Sequence, residues 1–137
     1  MNTGWSRRPT RYVATLMLVL LAEGCGTGTD RHNISGGVTY CGQPLMYGQI
    51  HFDPDASREN RGPQGVGEIR NGRYQTNPGY GPVPGPHIVR ITGWESGPEK
   101  GMLPPALVSD YEFRVNVPSA VGVLNFDIPV VKKKSGR

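Results

Sequence analysis

The sequence predicts an all-β fold, about seven short antiparallel strands packed as a sandwich. Three observations predict it. Apolar and polar residues alternate in several short stretches, as in 111–117, YEFRVNV. Glycine (20) and proline (13) punctuate the 137 residues without a fixed period, which suits short strands and turns better than long helices. Asn71-Gly72 stands between two extended runs, a strong hairpin signal. The net charge of +4 is too small to imply a nucleic-acid partner.

The N-terminus lies outside that fold. Arg7, Arg8 and Arg11 precede a continuous apolar run at 13–22, VATLMLVLLA. The run is short for a bilayer span and has the size of a signal-peptide core. The following LLAEGCG resembles a bacterial lipoprotein signal, in which a cysteine after a small residue becomes lipidated. Gly24 and Cys25 match. Leu21 stands four residues before the cysteine rather than three, and Glu23 is unusual there. The resemblance implies a signal peptide over 1–24, lipidation at Cys25, and a membrane-anchored domain on the periplasmic or cell-surface side. An ordinary secreted protein and an uncleaved anchor are the alternatives. Residues 25–33 read as a flexible tether. With Cys25 lipidated, Cys41 has no partner for a disulfide, so the core must hold the fold.

The domain spans 34–130. Its opening stretch, ISGGVTYCGQPLMYGQIHF at 34–52, predicts a β-hairpin. Ile34, Val38 and Tyr40, then Met46, Ile50 and Phe52, face the core, and Cys41-Gly42-Gln43-Pro44 forms the turn. Gln49 and His51 face water. Gly36 and Gly37 mark a bulge or a close backbone approach. Residues 53–65 form a polar loop. Residues 66–70 and 73–76 form a second hairpin around Asn71-Gly72. The proline-rich 77–86 reads as a stiff loop rather than a docking motif. Residues 87–92, HIVRIT, form a strand with Val89 and Ile91 on one face. Residues 93–109 read as an irregular crossing with one helical turn near Ala106, where Trp94 packs as a lid in preference to serving as an exposed anchor. Tyr111, Phe113, Val115 and Val117 share a face of the next strand. Leu124, Phe126 and Ile128 share a face of the last, which Pro129 ends. Residues 131–137, with Lys132, Lys133 and Lys134, form a basic disordered tail.

The opening hairpin also carries a family pattern. ISGGVTYCGQPLMYGQIHFDP resembles the start of carboxypeptidase regulatory-like, or transthyretin-like, domains. Ile34, Gly36, Val38, Gly42, Pro44, Leu45, Gly48, Ile50 and Phe52 meet that pattern. GEIRNGRYQT at 67–76 is similar to the family's hairpin. GPHIVRI at 85–91 is similar to a strand start, with His87-Ile88 departing. YEFRVNV and VLNFDI resemble the last two strands. The resemblance implies a seven-stranded Ig-like (transthyretin/prealbumin-like) antiparallel β-sandwich, and it is greatest to small planctomycete-type lipoproteins. Cys41 stands where those sequences commonly carry Asp or another polar residue. Its state stays open among a buried inert thiol, a reactive thiol and a link to another chain.

Little in the sequence points to catalysis. His32, His51 and His87 lack close metal-ligand spacing, and Asp30, Asp53, Asp55 and Glu59 are scattered. His51 and Asp53 share one strand face and form a local pair at most. No G-x-S-x-G, G-x-G-x-x-G or P-loop is present. Two enzyme groups use related sandwiches. The Tyr-Arg-Gly-Ser signature of hydroxyisourate hydrolases and the two-Tyr, two-His iron elements of intradiol dioxygenases are both missing. The expectation is a non-catalytic lipoprotein, not an enzyme, with a structural or protein/carbohydrate-binding role at the cell envelope. It carries no catalytic, cofactor or metal residues; its partners are membrane lipid and an envelope protein or carbohydrate. The alternative is a small hydrolase or metal-dependent enzyme whose site gathers dispersed histidines and acids.

Overall fold

Asn71 and Gly72 adopt φ of 50° and 74°, the paired left-handed turn that their residue types allow. They join β4 (Gly65–Arg70) to β5 (Arg73–Thr76), as the sequence predicts. The computed structural model describes residues 30–130. The expected signal peptide over 1–24, Cys25, the first part of the expected tether and the expected basic tail over 131–137 lie outside the described residues.

The other strands are β1 (Ile34–Tyr40), β2 (Gln43–Pro44), β3 (Tyr47–Pro54), β6 (Gly85–Trp94), β7 (Ala106–Val117), β8 (Gly122–Val123) and β9 (Phe126–Ile128). One 3-10 turn, Ala56–Arg58, follows β3. The strands lie in the order β2-β1-β5-β4-β3-β6-β7, and β8 and β9 pair with β1. The domain is therefore all-β, a strongly curled and largely antiparallel sheet, a half-barrel with a sandwich-like interior.

Alternation places the core. On β3, Ile50 and Phe52 point inward, opposite Ile91 and Val89 of β6. Ile34, Val38, Leu45, Ile69, Tyr74, Val117, Phe126 and Ile128 complete a continuous apolar interior. Fully burying one such side chain contributes about 1.5–3 kcal/mol. The curl brings Phe113 of β7 to 5.0 Å from Phe126 of β9, ring centre to ring centre, so the two ends of the sheet meet through aromatic side chains.

Several expectations change, and the stiff loop expected over 77–86 gives up Gly85 and Pro86 to β6, where they pair with Val117 and Asn116. The 34–52 segment is not one long hairpin. β1 pairs with β2 over two residues, whereas β3 pairs with β4 and β6. Leu45 is the reason: its buried side chain sits against Gly48 and Gly93, where an added Cβ would lie 2.6 Å from it at Gly93. Plugging that gap turns the chain away and leaves Met46, expected in the core, 48% exposed. Ala106 begins β7 rather than a helical turn. The strand carries a bulge at Ser109-Asp110, where Asp110 has φ 48° and its N–H donates to the Thr92 hydroxyl at 3.1 Å. The final strand is split into β8 and β9, and both run parallel to β1 rather than antiparallel. Trp94 lies at the end of β6, half-buried, with its ring 6.0 Å from Tyr47.

The last tether residues are docked. The His32 N–H donates to the Pro82 carbonyl at 3.1 Å, and Arg31 donates to the Gly81 and Gln64 carbonyls, each at 2.7 Å.

Candidate functional site

The three histidines do not converge. On β3 and β6 the inward pairs are Ile50–Ile91, Phe52–Val89 and Pro54–His87. His51 pairs with Arg90 on the opposite, outer face. His32 lies at the N-terminal end, 3.5 Å from the Asp30 carboxylate. Asp53 does not pair with His51; its carboxylate takes Arg90 and Gln64 instead. No group of three or more His, Cys, Asp or Glu side chains among the described residues is placed to hold a metal ion. Cys41 is an exposed free thiol with φ 52° at the β1–β2 turn, which removes the buried-thiol reading.

His87, weighed in the sequence only as a dispersed histidine, is buried. It is 1% exposed and shares its inward face with Val89 and Ile91. That parity in HIVRIT was the available signal. Its Nδ1 lies 2.9 Å from the Gly85 carbonyl, an obligate acceptor, so the network assigns the ring proton to Nδ1. The Nε2 atom has no hydrogen-bond partner among the described residues. Asn60 spans the same corner, donating to the Pro86 carbonyl at 2.9 Å. The Asp55 N–H donates to that carbonyl at 3.0 Å. These bonds fasten the 55–60 turn to the start of β6. The role of this cluster is structural, because it occupies packed interior rather than a cleft.

An open groove lies elsewhere. It is a groove of about 680 Å³ along β1, beside β5 and the β8–β9 segment, with a mixed lining in which Pro44, Tyr74 and Val123 stand among the polar groups. Ser35, Gly37, Thr39, Arg73, Gln75 and Asn125 contribute its floor and walls, and the Asn71-Gly72 turn closes one end. Alternation explains the lining, since these strand residues share the outer face of the curled sheet. The Gly37 N–H donates to Asn125 Oδ1 at 2.7 Å, and the Thr39 hydroxyl donates to Asp127. The Val38 N–H donates to the Gly72 carbonyl at 2.8 Å, which locks the turn against β1.

The two adjacent glycines differ. A Cβ on Gly36 would lie 1.9 Å from the Leu124 carbonyl oxygen, so the fold demands glycine there. A Cβ on Gly37 would meet nothing closer than Asn125 Oδ1 at 3.5 Å. The fold does not demand Gly37. A bare backbone in mid-strand, at the floor of this groove, is a place where a ligand can approach closely.

The groove lining offers amide, hydroxyl and guanidinium groups, with no histidine, cysteine or carboxylate. These groups offer hydrogen-bond donors and acceptors, and the lining residues include no nucleophile–base pair. A smaller hollow of about 350 Å³ on the outer face includes His51 and Glu68. The Arg70 guanidinium, 2.8 Å from Glu68, holds that carboxyl below its ordinary range. Glu68 is thereby kept as an ion rather than a proton donor.

No protein-family model matches the chain, and no curated protein matches it. The groove is therefore read from its own chemistry. Sequence reasoning flagged the Gly36-Gly37 pair but could not separate the two roles, because the separating contact comes from Leu124, far along the chain.

Proposed function

We propose that this chain is a non-catalytic binding lipoprotein of the bacterial cell envelope, tethered through lipid on Cys25. Its domain is the seven-stranded Ig-like sandwich of the transthyretin-like and carboxypeptidase regulatory-like kind, and the β1–β5 groove takes a polar envelope ligand, a carbohydrate or a protein segment. The observation that carries the reading is Gly37, an unforced glycine at the floor of the β1–β5 groove. The placement of residues 32–34 supports it. The Ile34 N–H donates to the Thr76 hydroxyl, and His32 binds Pro82, so the tether enters at the Thr76 end of β5. The groove extends from there toward Arg73 and the Asn71-Gly72 tip. A lipid on the tether would leave that tip facing away from the membrane.

One comparison tests the binding reading. Wild type and Gly37→Val are passed over immobilised envelope polysaccharide and over envelope protein extract. Wild type is expected to be retained by one of them, and the variant to lose retention by about tenfold, with an unchanged melting midpoint. Equal retention of both proteins, or of neither, removes the groove as the site. Labelled fatty acid reports separately on the anchor: Cys25→Ala is expected to abolish incorporation.

A further inference from the structure

The far edge of β7 is not paired with any strand among the described residues. β7 runs for 12 residues, and one edge is taken by β6. Beyond the bulge at Ser109-Asp110, residues 111–117 form an unbroken ladder with β6. Exposed edges of this length invite another strand, and proteins commonly guard them with repelling charge. The charges here follow a different pattern. Glu112 and Arg114 lie two residues apart on the outer face, and their side chains are 53% and 68% exposed. On the inner face Tyr111, Phe113 and Val115 point toward the core yet are only half-buried.

We propose that this edge is a self-association surface, where a second copy of the chain pairs antiparallel with Phe113 opposite the partner's Phe113. In that register Glu112 faces the partner's Arg114, and Arg114 faces the partner's Glu112. Tyr111 lies beside the partner's Val115, extending cover over the half-buried apolar stripe. The neighbouring registers are worse. A slip of two residues sets either Glu112 or Arg114 against its own counterpart, like charge on like. A slip of one residue sets inward side chains against outward ones. The Glu-x-Arg spacing thus selects one two-fold pairing. Within the chain, Arg90 lies 3.0 Å from the Glu112 carboxylate and Asp55 lies 3.3 Å from the Arg114 guanidinium, which orients both side chains without burying them.

Sedimentation equilibrium of the full chain in density-matched detergent tests this. Wild type is expected to show a reversible monomer–dimer equilibrium. Glu112→Arg and Arg114→Glu are each expected to weaken it by about tenfold or more, because each homodimer then opposes like charges twice. Mixing the two variants restores opposite charges at both contacts, so the mixture is expected to dimerise within about threefold of wild type. A readout on wild type alone accompanies it: amide exchange over 111–115 slows as protein concentration rises. The proposal is overturned by a wild type that stays monomeric up to about 1 mM. It is also overturned by a single variant that dimerises as wild type does, by folded variants whose mixture stays monomeric, or by concentration-independent exchange in 111–115.

Discussion

Asp55 is 4% exposed, yet its carboxylate is well supplied with partners. The Ser57 hydroxyl and N–H donate to one oxygen, the N–H at 3.1 Å, and Arg114 approaches the other at 3.3 Å. The Ser57 hydroxyl first, then the Ser57 N–H, Arg114 and Arg58, hold the carboxyl below its ordinary value, against burial that would raise it. A depressed folded-state pKa means that the unfolded chain takes up the proton first on acidification. The stabilisation is therefore fully present above the unfolded value, about 3.9, and is lost as pH falls through the lower folded value. Ser57→Ala is expected to move the Asp55 titration upward and to weaken the fall of the melting midpoint in acid. Side-chain NMR titration and melts at graded pH check this, and an unmoved titration would sink it. The sequence shows residues 53–65 only as a polar loop. Asp55 becomes a capping residue because Pro54 pairs with His87, which brings the Pro86 carbonyl to the Asp55 N–H.

The β4–β5 hairpin is the element whose chemistry was plainest in the sequence. Asn and Gly tolerate the positive φ that the tight turn requires. Its docking was not visible there. The Gly72 N–H donates to the Leu45 carbonyl at 2.8 Å, the Asn71 N–H to the Met46 carbonyl at 2.9 Å, and the Gly72 carbonyl accepts from Val38. A Cβ on Gly72 would also lie 2.6 Å from Pro44 Cβ. Gly72→Ala therefore meets both backbone strain and a clash, and is expected to cost about 2 kcal/mol or more. Asn71→Gly keeps the turn and is expected to cost within about 1 kcal/mol. Urea denaturation separates the two. Equal midpoints would mean that the turn relaxes freely and does not clamp β1. The 34–52 expectation failed at this same junction: alternation was read correctly on β1 and β3, but no local signal tells which strands pair once Leu45 turns the chain.

At the scale of the molecule, the curl closes on four rings. Phe126 lies 6.4 Å from Phe52, 6.0 Å from Tyr74 and 5.0 Å from Phe113, so it touches aromatic groups from β3, β5 and β7. Phe126→Ala is expected to cost about 3–5 kcal/mol, whereas Met102→Ala, at a side chain 72% exposed, is expected to be close to neutral. Thermal melts check the contrast, and a mild Phe126→Ala would mean that the two ends of the sheet do not depend on each other. The sequence by itself determined what is local: the inward parity of most strands, the Asn71-Gly72 turn and the all-β class. These follow from period-two alternation and from the φ that each residue type allows. The tertiary structure alone decided the parallel seating of β8 and β9 on β1, the open edge of β7, and the division of labour between Gly36 and Gly37. Each depends on which distant segment arrives alongside, and that is settled by how the whole apolar surface finds cover rather than by any one stretch of residues.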